Sequence, residues 1–565
     1  MFRSILVTAA LLTAQTHAQS LVNSPVVPGA AIPPGTSLKV EADFKSHQLT
    51  SPTALTFDDQ GRIFVTETHR FGAGIEDNRA HTYWYLDDLA ATNTSDRRAL
   101  HEKWKTKFPL ARMTEKSELV RRFADTNGDG SLDEAKVFAD GFNDVLDGTA
   151  AGVFSHEGTL YLACIPKLLM LRDTDSDGRA DERKTIEEGF GVRVSLSGHD
   201  LNGFALGPDG RIYGTIGDRG FSFTTKAGVT YHYPNQGAAF RFEPDGTGFE
   251  VFHTGLRNPK EIAFDALGYP FTVDNNSDQG DAARVVYLVE GGDTGWEMEH
   301  QAMHTFHREI GLQDRPPSRW MDEKMWHLAN PEQPAYIVPP SALLTTGPSG
   351  LTYHPGTGFL ENEAGRFLIC DYRGGAANSG IWSFEMKPEG AGMKLTNSRK
   401  ALWGVAVTDA EYSWDGRLFV TDFGGGWKSH AGGRLLSLDA GAQTWRAKDA
   451  ASAATITSRI RPTSGSSGPK RIPRAGIVPA GARCGLHAAS ASSSPSRDSP
   501  AANCQSSANT SRSWATTGPR RRKCMSRTGC FGAWARQQPS RTLSPPVKPT
   551  SPSTTRIFRW LRRFA

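Results

Sequence analysis

At 565 residues the chain exceeds what one ordinary hydrophobic core supports, so the choice lies between several domains and one large closed repeat fold. No stretch approaches the roughly 20 uninterrupted apolar residues of a spanning helix, so no transmembrane segment is expected. The net charge of +4 averages an acidic body and a basic end: from Arg446 onward the only acids are Asp449 and Asp498, and nothing in the body points to specific nucleic-acid binding.

The chain opens with Arg3, an apolar run from Ile5 to Leu12 and small residues at Thr16 and Ala18. This is the pattern of a secretory signal peptide over residues 1–18, and it predicts a secreted or periplasmic protein. At Ala54 comes ALTFDDQGRIFVTE, a short apolar strand, a turn of Asp and Gly, and a second alternating strand, which predicts a β-hairpin. From Asp77 to Glu115, acids, bases and Leu or Trp recur at helical spacing, which predicts a helical insertion between the first two repeat units.

Two dense runs of oxygen ligands flank the second hairpin, GVFSHEGTLYLA at Gly152. In one, Asp125, Asn127, Asp129 and Asp133 hold positions 1, 3, 5 and 9; in the other, Asp173, Asp175, Asp177 and Asp181 do, and both have Gly at position 6. Alternate side chains of such a loop point inward round a hard cation, so each is expected to bind Ca2+ in a structural role. Position 12 is Lys136 or Lys184, where an EF-hand carries Glu, and strand-like runs flank both loops in place of helices.

Four further hairpin copies follow: GFALGPDGRIYGTIGD at Gly203, EIAFDALGYPFTVD at Glu261, GLTYHPGTGFLENEAGRFLICD at Gly350 and AEYSWDGRLFVTD at Ala410, with a second insertion at His307–Trp326. Six copies spaced by roughly 50 to 90 residues predict an all-β, six-bladed β-propeller over residues 19–446. Cys164 and Cys370 sit in apolar strand-like runs and read as buried free thiols; no Cys-x-x-Cys-His is present. Beyond Arg446, Ser, Pro, Arg and Ala dominate without periodicity. Residues 447–565 read as a disordered basic tail or as out-of-frame translation, the second favoured because acids and pattern vanish at one point.

Three segments carry a resemblance. Ser197-Gly-His199-Asp-Leu-Asn-Gly-Phe-Ala-Leu-Gly207-Pro208-Asp209-Gly210, running on to Ile216-Gly217-Asp218, resembles the motif of soluble quinoprotein glucose and sorbosone dehydrogenases; Gly255-Leu-Arg257-Asn258-Pro259 and Gly291-Gly-Asp-Thr-Gly-Trp296 are similar to two further motifs of that family. The chain is also similar to planctomycete and verrucomicrobial proteins called membrane-bound dehydrogenase domain proteins, in its Glu67-Thr-His69-Arg70-Phe71 and its two acidic loops.

The resemblance implies a sugar or alcohol dehydrogenase using pyrroloquinoline quinone (PQQ) and Ca2+, with an electron acceptor that the sequence does not identify. His199 would be the base, Arg257 and Asn258 would orient the cofactor, Arg373 would add a late cation, and a calcium ion would sit near Asp274–Asp281. The paired late arginines of the family are absent, which weakens the expected quinone site. Trp296, Trp403 and Trp427 read as propeller packing. The alternative is a non-catalytic, calcium-stabilised propeller that binds glycan or protein partners.

Overall fold

The computed structural model describes residues 20–440 except 299–302, 313–318, 326–336, 355 and 357–362. The signal-peptide and tail assignments therefore lie outside the described residues, as does part of the second insertion.

Six sheets built on four-stranded antiparallel meanders follow one another along the chain, each running outward from an inner strand; blade 3 also carries a separate hairpin, Phe221–Thr224 with Thr230–Tyr233, and a short parallel outer strand, Gly292–Asp293. The inner strands are Pro52–Phe57, Gly152–His156, Leu201–Leu206, Pro259–Phe264, Pro348–Tyr353 and Val407–Tyr412. Each contacts the next and the sixth contacts the first, which closes a six-bladed β-propeller. All six hairpins read from the sequence are the innermost hairpins of the blades. The ring is closed by an early strand, Ser37–Asp43, which pairs with Arg434–Asp439 as the outermost strand of blade 6.

Each blade is covered on both faces by its neighbours, so its inner strands are buried on both sides; Thr159–Cys164, for example, is buried at every position. The core accordingly divides into one hydrophobic cluster per blade interface: Phe64 and Leu162 between blades 1 and 2, Met170 and Phe240 between 2 and 3, and so round the ring to Phe419 and Val65 between 6 and 1. Cys164 and Cys370 are buried free thiols in different blades. Among the described residues no helix is long and apolar enough to cross a membrane.

The helical insertion is placed differently from the expectation. Its helices, among them Tyr85–Ala90 and Thr94–Lys103, lie between the second and third strands of blade 1, Ile63–Glu67 and Glu118–Ala124, rather than between blades 1 and 2. The sequence shows helical period but not which strands close round it. The second insertion contributes Met303–Glu309 and Arg319–Asp322, between the third and fourth strands of blade 4.

The two acidic loops join the third and fourth strands of blades 1 and 2. Their position-12 lysines have a structural use: Lys136 Nζ donates to the Asp177 carbonyl of blade 2 at 3.2 Å, and Lys184 Nζ donates to the Asp245 carbonyl of blade 3 at 2.9 Å. Each lysine thus braces its own outer hairpin to the turn of the next blade, which accounts for Lys where an EF-hand has Glu.

Candidate functional site

A cavity of about 410 Å³ opens where the six inner strands begin, at one mouth of the central channel. Every blade contributes to it, through Thr53, Thr149, His199, Asn258, Ser349 and Thr408 among others. His199, Arg257, Asn258 and Arg373, the residues singled out through the resemblance, all line it. The eight acidic-loop ligands do not. A meandering blade places its third-to-fourth turn at the end opposite the start of its inner strand, so both loops lie on the far face.

His199 is 4% exposed, and its Nδ1 lies 2.7 Å from Oδ1 of Asp218. Asp218 is fully buried at the end of Ile212–Ile216, and it also accepts from Trp296 Nε1 at 2.9 Å and from Ser195 Oγ at 3.0 Å. Burial pushes the Asp218 carboxyl up, but the His199 ring, the Arg257 guanidinium and the Trp296 indole outweigh it and hold it below the usual carboxylate value. Burial lowers the His199 imidazole, Arg257 and Lys260 push the same way, and Asp218 opposes them without prevailing. The ring is therefore neutral near neutral pH, with its Nδ1 proton donated to a carboxylate that can only accept. Nε2 remains for the cavity. Gly217 permits this pairing, because a Cβ there would stand 2.6 Å from the His199 carbonyl oxygen.

Asp218 lies in the first of the three motifs, and its strand-end position after Ile216-Gly217 is the signal by which the sequence could have revealed it. The Gly-Gly-x-x-Gly-Trp turn is explained by the same cluster. It delivers Trp296, 1% exposed, to the Asp218 carboxylate and under the Arg257 guanidinium, 5.6 Å from the ring centre.

Arg257 is buried and pairs with Asp278 at 2.7 Å. The backbone N–H groups of Arg257 and Asn258 both donate to Asp274, which also pairs with the buried Arg284, so one carboxylate fixes the turn that presents both residues. Arg373 pairs with Asp371 at 2.7 Å and keeps 36% of its side chain exposed. Two further cations line the cavity that the sequence reading did not single out. Lys260 donates to the Gly198 carbonyl at 2.5 Å, and removal from bulk water lowers its ammonium to about 8. Arg79, from the helical insertion, is held by Asp77 at 2.5 Å. The lining thus holds four cationic side chains and one carboxylate, Asp278.

Of the three tryptophans read as packing, Trp296 is buried and Trp403 stands edge-on to Trp382. Trp427 departs from that reading: it is 62% exposed and lines the cavity, held edge-on to Tyr372 at 5.1 Å.

The carboxylates in the expected calcium segment are taken by protein donors. Asp274 and Asp278 have Arg284 and Arg257, and Asp281 accepts from Ser277 and Trp320. Two amide oxygens of the same segment, Asn276 Oδ1 and Gln279 Oε1, are buried and have no hydrogen-bond partner among the described residues. On the far face, oxygens of Asp173, Asp175 and Asp177 lie within 4.8 Å of one another. In both acidic loops the carboxylates accept backbone N–H groups of their own turn, as Asp125 does from Gly130 at 2.7 Å and Asp173 from Gly178 at 2.9 Å.

A buried carboxyl pair joins the inner strands of blades 4 and 6. Glu261 Oε2 accepts from Leu351 N at 2.7 Å and Asp409 Oδ2 from Leu55 N at 2.9 Å, and the two side chains hydrogen-bond to each other. Gly203 and Gly350 make room: a Cβ would stand 2.7 Å from Glu261 Cγ in the first case and 2.7 Å from Asp409 Oδ1 in the second. Burial raises both carboxyls, Asp409 to about 6.

A family model described as Domain of unknown function (DUF7133) matches residues 31–423. No curated protein matches the chain. Solved structures similar to it include a putative oxidoreductase (glucose dehydrogenase) from Thermus thermophilus, at 16% identity over 71% of this chain and 99% of that one, TM-score 0.43. The PQQ-bound form of aldose sugar dehydrogenase from Streptomyces coelicolor is similar at 16% identity over 72% and 99%, TM-score 0.42. The holo form of the pyranose dehydrogenase PQQ domain from Coprinopsis cinerea is similar at 13% identity over 74% and 99%, TM-score 0.44.

Proposed function

Since the chain belongs to the family described as Domain of unknown function (DUF7133), a description that assigns no activity, we propose from the site itself that it is an exported, PQQ-dependent dehydrogenase of sugars or alcohols that uses Ca2+. The observation that carries this is the convergence of the His199–Asp218 pair with Arg79, Arg257, Lys260 and Arg373 on one cavity at the channel mouth.

The cavity suits a planar tricarboxylate. Its cations are fixed by buried or hydrogen-bonded partners, and aromatic side chains, Phe71, Tyr372, Phe423 and Trp427, share the lining. Arg257 offers a forked guanidinium to a carboxylate or quinone oxygen, Lys260 a point charge, and Asn258 an amide. Arg79 and Arg373, closer to solvent, would meet the remaining carboxylates. Bound there, the quinone would supply the acceptor for the hydride leaving the alcohol carbon. His199 Nε2 takes the hydroxyl proton, and the Asp218 carboxylate stabilises the imidazolium that results. Neutral His199 is the competent form, and its lowered pKa keeps that form populated at neutral pH. A calcium ion near Asp274–Asp281 would find Asn276 Oδ1 and Gln279 Oε1 as ready oxygen ligands. The loops at Asp125–Asp133 and Asp173–Asp181 are proposed as separate, structural calcium sites, and residues 1–18 as the export signal. The similarity to membrane-bound dehydrogenase domain proteins fits the same reading.

Gel filtration of the protein after mixing with PQQ and Ca2+ tests it. The quinone absorbance should co-elute with the parent protein and with His199→Gln, and be lost or greatly reduced in Arg257→Ala, where truncation leaves a cofactor oxygen without its cation. No co-eluting chromophore with the parent would leave the non-catalytic propeller as the reading.

A further inference from the structure

The helical insertion of blade 1 reaches the segment that carries His199. Asp88, fully buried in the helix Tyr85–Ala90, accepts from Val194 N at 2.5 Å and from Ser195 N at 3.2 Å. Asn78 closes the clamp from the other side: its backbone N–H donates to the Ser195 carbonyl at 3.0 Å, its Nδ2 donates to Asp88 at 2.6 Å, and its Oδ1 accepts from Trp84 Nε1 at 2.8 Å. All of these groups are buried. Held this way, Ser195 takes a left-handed backbone, φ 47°, that a non-glycine residue adopts only when its surroundings impose it. What the strain achieves is visible at its side chain. Ser195 Oγ donates to Asp218 Oδ1 at 3.0 Å, the same oxygen that holds His199 Nδ1.

We infer that the insertion is a positioning element for the dyad: Asp88 and Asn78 set Ser195 so that its hydroxyl shares Asp218 Oδ1 with His199 and thereby tunes the basicity of His199. The physical reason is competition at one oxygen. A hydroxyl donating to Asp218 Oδ1 disperses part of its negative charge, so less of it acts on the imidazole. Without that donor the carboxylate pulls harder on the Nδ1 proton and favours the imidazolium. Trp296 acts likewise through Oδ2. Arg257 and Lys260 oppose the imidazolium, and Asp200 beside His199 in the chain is neutralised by Arg219 at 2.5 Å; none of these is altered by a change at Ser195. The inference rests on His199 being the base, and it makes Asp88, Asn78 and Ser195 positioning residues, not catalytic ones.

The test is the His199 titration midpoint, followed by NMR of the imidazole nitrogens in the full-length protein without added cofactor, with the resonance assigned by its loss in His199→Gln. Ser195→Ala removes the hydroxyl; Ser195→Gly removes it and also relieves the left-handed backbone, so it folds where strain would hinder Ala. Both should raise the midpoint by about 0.5 to 1 pH unit, the size expected when a charged acceptor loses one neutral donor. Asp88→Asn, which loosens the clamp while leaving Ser195 in place, should raise it in the same direction. If the midpoint in folded Ser195→Ala and Ser195→Gly equals that of the parent, the inference is overturned. Because this readout needs no turnover, it separates the two ideas: a shifted midpoint in a protein that oxidises nothing removes the dehydrogenase reading alone, whereas an active parent with an unmoved midpoint removes the tuning alone.

Discussion

Glu261→Gln removes one carboxyl from the pair that joins the inner strands of blades 4 and 6 and so tests whether that pair holds a proton in the folded state. Asp409 keeps its proton up to about 6 in the folded chain, against 3.8 for an ordinary Asp. Glu261 is raised as well, by its burial and by the Asp409 charge. The folded protein therefore binds more protons than the unfolded chain over this window, and the contribution of the pair to stability is present at about pH 4 and lost as pH rises through about 6. For Asp409 alone the gap corresponds to about 3 kcal/mol, and at 5% exposure little of it is screened by solvent. A Gln at position 261 can still accept from Leu351 N through Oε1 and can donate its NH2 to Asp409 as protonated Glu261 does, so it removes the proton linkage of Glu261 and leaves the Asp409 shift, which burial causes, in both proteins. Urea melts of parent and variant across this range should show nearly equal stability at about pH 4 and an advantage for Glu261→Gln that grows above about pH 4.5 by up to about 1.4 kcal/mol per pH unit, the slope of one proton held only by folded Glu261. A difference between the two proteins that stays constant with pH would refute the shared proton.

Two other outcomes follow from the outer architecture. Chelation should lower the melting temperature, because the Asp173, Asp175 and Asp177 oxygens lie within 4.8 Å of one another and repel without a cation; an unchanged midpoint removes the structural calcium sites. Deleting residues 447–565 should leave the melting temperature unchanged, since blade 6 is closed by Arg434–Asp439 against Ser37–Asp43, and aggregation of the truncated protein would show the tail assignment to be mistaken.

The propeller was legible because its signal is local. Five of the six innermost hairpins pair two strands a few residues apart, as Leu201–Leu206 does with Ile212–Ile216 across Pro208-Asp209-Gly210, and period-2 apolar runs with Asp-Gly turns announce such pairing. The insertion was misplaced because the pairing of Ile63–Glu67 with Glu118–Ala124 skips over fifty residues whose own pattern is helical. Within the site, His199, Arg257 and Asn258 were reached through motifs, and the structure brings them together. Lys260, one residue beyond Pro259, and Arg79, on an insertion with no motif, were not singled out, because a cation's role there depends on which cavity the fold turns it toward. Ser195 is the extreme case: only the clamp by Asp88 and Asn78 distinguishes it from any other loop serine.

The central claim is that His199 acts as the base of a quinone-dependent oxidation at the channel mouth. Its most direct test follows the reduction of an artificial electron acceptor by protein reconstituted with PQQ and Ca2+, across a panel of sugars and simple alcohols. The parent should turn over at least one of them, and His199→Gln, with quinone binding intact, should be slower by roughly 10² to 10⁴. A parent that oxidises none of them, or a His199→Gln variant that matches its rate, would contradict the account.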